Sequence, residues 1–286
     1  MSQNKTKNNI LVVGLGLIGS SLSQSLIRSK KVGKVYGYDK DKEVISYAKE
    51  KKFINEEVNN LRDGIIESDI IIFSVPVSQI DSCLDEAKNF FNTEKVFSDT
   101  LSSKKLILDY FKVNNLKNIS NFIFSHPMAG TENFGIKYSK HDLFLNSTSI
   151  ICPMENSNLE FVEIIKSIWS YVGCNIFEMD VRSHDNILSA VSHAPHFISF
   201  ALAKKINDMK YIENNPWILD KGSLSDMARI AKSDPQAWAN IFLSNEKNIL
   251  EFIDDYIGEL NLLKSKINSN DIEDIILFLK ECNPKN

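Results

Sequence analysis

The sequence predicts an α/β fold in which an N-terminal Rossmann-type, doubly wound parallel sheet is followed by an all-α domain. Three observations carry this reading. Short apolar runs alternate with helical stretches from Asn9 to Glu178. The first run leads straight into Gly14-Leu15-Gly16-Leu17-Ile18-Gly19. Beyond Val181 only helical patterns remain. The boundary is placed at Asp180, giving a dinucleotide-binding domain over 8–180 and an all-helical domain over 181–286.

Each element follows from its local pattern. Asn9–Val13 reads as a strand, Leu17–Ser29 as a helix, Lys34–Tyr38 as a second strand and Lys42–Lys51 as a helix. Asp69–Val75 reads as a strand, and its apolar run Ile70–Phe73 is what burial on both faces requires. A helix over Ser78–Phe91 and short strands at Val96–Ser98 and Phe122–Phe124 follow. Late strands at Ser149–Cys152 and Asn175–Glu178 bracket a helix over Asn158–Val172. In the second domain, His184–Asn207, Leu224–Lys232, Pro235–Ile257 and Asp271–Cys282 read as helices. Pro195 interrupts the first of them, removing a backbone donor and kinking the chain.

The composition narrows the function. With 33 basic and 37 acidic residues the chain has a formal charge of −4, so no nucleic-acid partner is expected. No run approaches a membrane span and no secretory leader precedes Asn8. Cys83, Cys152, Cys174 and Cys282 form no CxxC pair, which favours reduced thiols and a cytoplasmic location.

The glycine turn has the context that a dinucleotide requires. Its glycines allow a tight turn, close approach of backbone to pyrophosphate, and close helix packing. The following helix presents its N-terminus to the phosphates. Asp39 ends the second strand at the separation expected of a ribose-binding acid, and its charge favours NAD over NADP. Ser74-Val75-Pro76 ends the buried strand at the edge where dinucleotides lie, although Pro76 also stops that strand. The candidate cofactor residues are therefore Gly14, Gly16, Leu17, Ile18, Gly19, Asp39, Ser74, Val75 and Pro76. The alternative is a glycine turn without a ligand.

Three strands end in polar loops, at Ser74, Asp99 and His126, and a parallel sheet opens all three on one edge. His126, neutral near pH 7, can accept a hydroxyl proton as hydride departs. The alternative for His126 is a loop histidine bonded to backbone. Ser102 can approach the same space, or can cap the helix that begins near Lys104. In the helical domain His193 and His196 lie three residues apart, too few ligands for a metal site. Arginine is scarce, at four positions, and Arg229 sits among apolar residues where it could clamp a carboxylate. An ion pair with Asp226 or Asp234 is its alternative. Trp238 is read as core.

These motifs together resemble the prephenate/arogenate dehydrogenase (TyrA) family, in its monofunctional form. The resemblance runs from Asn8 to about Phe252 and rests on ordered blocks. They are Gly14–Gly19, Asp99–Lys104, Ser125–Glu132 with Gly135, Leu143-Phe144, Ser192–His196, and Asp226 with Arg229–Pro235 and Trp238. Other dehydrogenases of the 6-phosphogluconate-dehydrogenase-like group share the glycine turn but not the block around His126. The resemblance implies that His126 is the catalytic histidine and that Ser102 helps to hold the substrate hydroxyl. It implies that Arg229 binds a substrate carboxylate and His196 lines the substrate pocket. Gly130, Thr131 and Glu132 would also bind substrate, the acidic Glu132 near the pocket mouth. It also implies NAD, a homodimer, and oxidative decarboxylation of prephenate to 4-hydroxyphenylpyruvate in tyrosine biosynthesis, with arogenate as the alternative substrate. Ala228, Leu224 and Phe134 depart from the family pattern. Two rival functions remain: another two-domain hydroxyacid dehydrogenase, and a non-catalytic NAD-sensing protein. One spatial expectation follows: His126 and Arg229 should meet beside the nicotinamide, directly or across a partner subunit.

Overall fold

The computed structural model describes residues 7–131, 133–209 and 222–283. Strands β1 (Ile10–Val13), β2 (Val35–Tyr38), β3 (Glu56–Glu57), β4 (Ile70–Phe73), β5 (Val96–Asp99), β6 (Phe122–Pro127), β7 (Thr148–Cys152) and β8 (Asn175–Glu178) form one sheet. Their spatial order is β3-β2-β1-β4-β5-β6-β7-β8. All neighbours up to β6 pair in parallel, and the order reverses between β2-β1 and β4. Ligands of open α/β sheets bind at such a reversal. Strand β7 is antiparallel to β6, and β8 runs parallel to β7. The sheet is thus mixed, not wholly parallel.

Alternation along the strands divides the core in two. Leu11, Val13, Ile71, Phe73, Phe97, Phe122 and Phe124 face one side. There they pack beneath α3 (Leu61–Glu67), α4 (Ile80–Ala87) and α5 (Lys105–Val113). Ile10, Val12, Ile70, Ile72, Val96 and Ile123 face the other, against α1 (Leu17–Ser29) and α6 (Leu159–Tyr171). Helix α2 (Lys42–Glu50) adds Ala48 to that second side and is capped by Asp41, whose carboxylate accepts from the Glu43 amide.

The remaining elements are α7 (Val181–Leu188), α8 (Ala194–Asn207), α9 (Ser223–Ile230), α10 (Pro235–Ser244), α11 (Glu246–Ser269) and α12 (Ile272–Glu281). Asp180 caps α7 by accepting from the Arg182 amide. A π-helical turn over Ser189–His193 separates α7 from α8 just before Pro195. The proline interrupts the hydrogen-bond ladder there, and the wider turn absorbs the break.

Several sequence expectations need correction. The stretch Ser78–Phe91 is three pieces, with α-helix only over Ile80–Ala87. The stretch Pro235–Ile257 breaks at Asn245, where buried side-chain bonds take the residue out of helical register. His126 lies within β6 rather than in a loop after it, because β7 pairs with it and places it opposite Ile150. Helix α3 had no sequence counterpart; its sole strong cue is Asn60, whose side chain accepts from the Asp63 amide.

Candidate active site

The carboxyl edges of β1, β2, β4, β5 and β6 border a cleft of about 600 Å³. Its lining includes Gly14, Gly16, Leu17 and Ile18 from the glycine turn, and Tyr38, Asp39 and Lys40 after β2. Ser74-Val75-Pro76 after β4, Thr100 and Ser102 after β5, and His126 and Pro127 of β6 complete that wall. Ala237, Asn240 and Ile241 of α10 face it from the helical side. The polar ends of three strands therefore do share one edge. The Thr100 hydroxyl donates to the Ser74 hydroxyl at 3.1 Å across that edge.

The glycine turn is built for a close-approaching anion. Gly14 holds φ +91°, and a Cβ there would lie 2.5 Å from the Ser74 carbonyl oxygen. At Gly19 a Cβ would lie 1.9 Å from the Gly14 carbonyl oxygen, so this residue serves packing and is absent from the cleft lining. At Gly16 a Cβ would meet nothing within 4 Å, so the backbone there is open. Gly16 also begins α1 with no side-chain cap and no acidic residue in its first turn. Free amides at the positive end of a helix dipole suit a pyrophosphate. Asp39 accepts from the Leu15 amide at 2.8 Å and the Asp41 amide at 3.0 Å, which fixes its carboxylate beside the cleft.

Behind His126 lies a buried polar network. Its Nδ1 is 3.0 Å from His184 Nε2, and His184 Nδ1 is 2.7 Å from Asp185 Oδ1. Asp185 reaches from α7 to cap α5. It accepts from the Lys104 and Lys105 amides and from the Ser103 hydroxyl, at 2.8 to 2.9 Å in the closest pairs. The Lys104 side chain is fully buried and donates to Asp99, to the Leu101 carbonyl and to the Ser125 carbonyl. All three ammonium donors are thereby used. Asn245 donates to the Asp185 carbonyl at 2.6 Å and approaches His193 Nδ1 at 3.2 Å.

The electrostatics favour a neutral His126. Burial pushes its pKa well below 6.5, and the nearby Lys104 ammonium pushes the same way. Burial likewise lowers His184, while Asp185 pulls it back. Burial raises the Asp185 carboxyl, but the His184 N–H, the Lys104 amide and the Ser103 hydroxyl outweigh it and hold it below the usual range. An unprotonated base beside this cleft is equipped to take a hydroxyl proton during hydride removal.

Comparison with known proteins agrees with this geometry. Residues 22–178 match the family model of the prephenate dehydrogenase nucleotide-binding domain, and residues 180–281 match that family's dimerization domain. The chain belongs to the prephenate dehydrogenase family. Prephenate dehydrogenase of Bacillus subtilis is 28% identical over 278 residues, covering 97% of this chain and 75% of that protein. Cyclohexadienyl dehydrogenase of Zymomonas mobilis is 28% identical over 274 residues, covering 96% and 93% respectively. The A. aeolicus prephenate dehydrogenase, solved with hydroxyphenyl propionate and NAD+, superposes with a TM-score of 0.86. It is 31% identical, over 98% of this chain and 97% of that one.

Within this member of the prephenate dehydrogenase family the expected residues do not all converge. Ser102 caps no helix, since Asp185 performs that task for α5, and it lines the cleft with His126. Gly130 and Thr131 are exposed and outside the cleft lining, whereas Ala129, Phe134 and Gly135 belong to it. Glu132 lies outside the described residues. His196 stacks on Trp238 with ring centroids 3.5 Å apart and donates from Nδ1 to the Ser192 carbonyl. Arg229 is 62% exposed on α9, 3.9 Å from Asp226, and does not line the cleft. It is close enough to help burial lower the pKa of His196. His184 and Asp185 went unrecognised in the sequence. Their one cue is an adjacent pair of titratable residues one turn after the Asp180 cap.

Proposed function

We propose that this protein is an NAD-dependent prephenate dehydrogenase that forms 4-hydroxyphenylpyruvate, with His126 as the general base. The observation that carries the reading is that His126 and the open Gly16 turn line one cleft. Bound NAD would supply the hydride acceptor. Gly14, Gly16, Leu17 and Ile18 would hold its phosphates, Asp39 its adenosine ribose, and Ser74-Val75-Pro76 the nicotinamide side. His126 would accept the C4 hydroxyl proton at Nε2 as hydride leaves C4, with Ser102 holding that hydroxyl. Carbon dioxide then departs and the ring becomes aromatic. The protein's work is alignment and charge placement.

Arg229 and His196 are assigned to substrate recognition, with the Arg229 guanidinium clamping a carboxylate. Its exposure in a single chain means this role needs either a shift of α9 or cover from a partner subunit. Gly130, Thr131 and Glu132 are proposed to bind substrate as well. The family's dimerization domain and the exposed apolar side chains of α11 and α12 support a homodimer. The units over 8–180 and 181–286 are proposed as its two domains. Free cysteines support the cytoplasm, and the acidic balance supports small molecules rather than nucleic acid as partners.

Arogenate is the second reading, favoured by the similarity to a cyclohexadienyl dehydrogenase. The test offers prephenate and arogenate in turn, each with NAD and with NADP, and follows reduced nicotinamide. Prephenate with NAD should give the highest kcat/KM. No turnover of either substrate would overturn the proposal.

A further inference from the structure

We propose that His184 and Asp185 are positioning residues that fix the tautomer of His126, presenting its Nε2 lone pair to the cleft. The geometry allows one ordering of hydrogens. A carboxylate can only accept, and Asp185 is ionised. It stands 2.7 Å from His184 Nδ1, so that nitrogen carries the hydrogen. Neutral His184 then has its lone pair on Nε2, 3.0 Å from His126 Nδ1. His126 must donate from Nδ1, which leaves Nε2 as the acceptor. The reverse ordering would set a ring lone pair against the carboxylate. His126 Nε2 has no protein partner among the described residues and is not among the sealed, unpartnered atoms.

Asp185 is suited to anchor such a chain. The α5 amides, the Ser103 hydroxyl and the Asn245 amide hold it from separate elements. The segment that follows Ser102 and the histidine pair are therefore tied together through Asp185. When His126 takes the substrate proton, its positive charge faces the buried Lys104 ammonium, His184 and the more distant His193. The hydrogen bond to His184, backed by the Asp185 carboxylate, offsets that repulsion. In this step the hydroxyl proton would pass to His126 Nε2 while the C4 hydride would leave for bound NAD, and neither His184 nor Asp185 gains or loses a proton.

The tautomer stands on the contacts of an ionised Asp185 and a neutral His184; the rate effect rests in addition on the reading of His126 as base. Two measurements separate them. Long-range proton–nitrogen spectra of the full chain, labelled with nitrogen-15 histidine, should show His126 in its Nδ1–H form at pH 7. His126→Asn assigns the signal. A dominant Nε2–H form would overturn the proposal, whatever the substrate. Kinetically, His184→Phe should lower kcat at least about tenfold, with KM for both substrates within about threefold. Its acid limb should move to lower pH, since the imidazolium loses its acceptor. His184→Gln keeps a donor for Asp185 and an acceptor for His126, so it should restore most of the rate. Unchanged kcat and acid limb in His184→Phe, or equal losses in both variants, would overturn the positioning role. If the wild type turns over neither prephenate nor arogenate, the proposed function fails while the spectra still decide the tautomer.

Discussion

At the scale of single residues, His126 is an ordinary strand residue made unusual by what lies behind it. It occupies β6 opposite Ile150 and is 7% exposed, so its ring has one direction open. Burial and the Lys104 cation depress its proton affinity, which extends the range over which it can act as a base. His126→Asn should therefore lower kcat by about two to four orders of magnitude and leave KM within a few-fold. Near-normal turnover in steady-state assays would remove His126 from the mechanism. In the wild type, kcat should fall on the acid side with a midpoint below 6.5, because the folded state resists protonation of this ring. A midpoint at or above 6.5 in a pH-rate profile would contradict the buried, cation-flanked geometry.

At the scale of elements, the glycine turn separates two jobs that the sequence motif merges. Gly16 borders open space, while Gly19 touches the Gly14 carbonyl across the packed turn. Gly16→Ala should fold normally yet lose much of its NAD affinity, as the methyl intrudes on the path of the pyrophosphate. Gly19→Ala should destabilise the fold by roughly 1–3 kcal/mol, since the backbone must part to admit a methyl group. Calorimetric binding together with thermal melts distinguishes the two, and equal melting losses would refute the division of labour. The same contrast explains what was legible. Strands such as Ile70–Phe73 and the helix Leu17–Ser29 follow from local periodicity and could be read directly. The extension of β6 to Pro127 depends on pairing with a distant, antiparallel β7, which no local pattern encodes. The break at Asn245 depends on bonds to Asp185 and His193, sixty and fifty-two residues away. That His126, Ser102 and the glycine turn share one cleft was legible because each sits in a contiguous motif at a strand end. His184 was not, because a π-helical turn follows it and its partner lies on another element.

At the scale of the whole molecule, the histidine cluster links activity to acid stability. Burial pushes His193 down to about 4, and its Nε2 is sealed without a partner among the described residues. His126 and His184 are depressed too, so below the unfolded value of 6.5 the unfolded chain binds protons that the native state refuses. Stability that is intact above pH 6.5 should thus decline steadily toward about pH 4, as His193 is forced to charge. Urea midpoints across that window should fall, and His193→Asn should flatten part of the decline. A second molecular property follows from the far end of the chain. Ile267 and Leu277, on α11 and α12, are 56% and 57% exposed. Apolar side chains left this open on consecutive helices are costly in water unless a surface covers them. The family match assigns dimerization to residues 180–281, which contain both helices. A second copy of the chain meets the requirement, and it could at the same time cover Arg229. Light scattering should give twice the 32.5 kDa chain mass for the wild type. Ile267→Asp with Leu277→Asp should halve that mass, because two buried carboxylates would oppose the interface. If Arg229 depends on partner cover, the dissociated variant should bind NAD normally while its KM for prephenate rises at least about tenfold, the loss expected for an unformed charged contact. A variant that dissociates yet keeps its KM would place the carboxylate clamp within one chain, and a wild type that is already monomeric would leave these faces without their proposed partner.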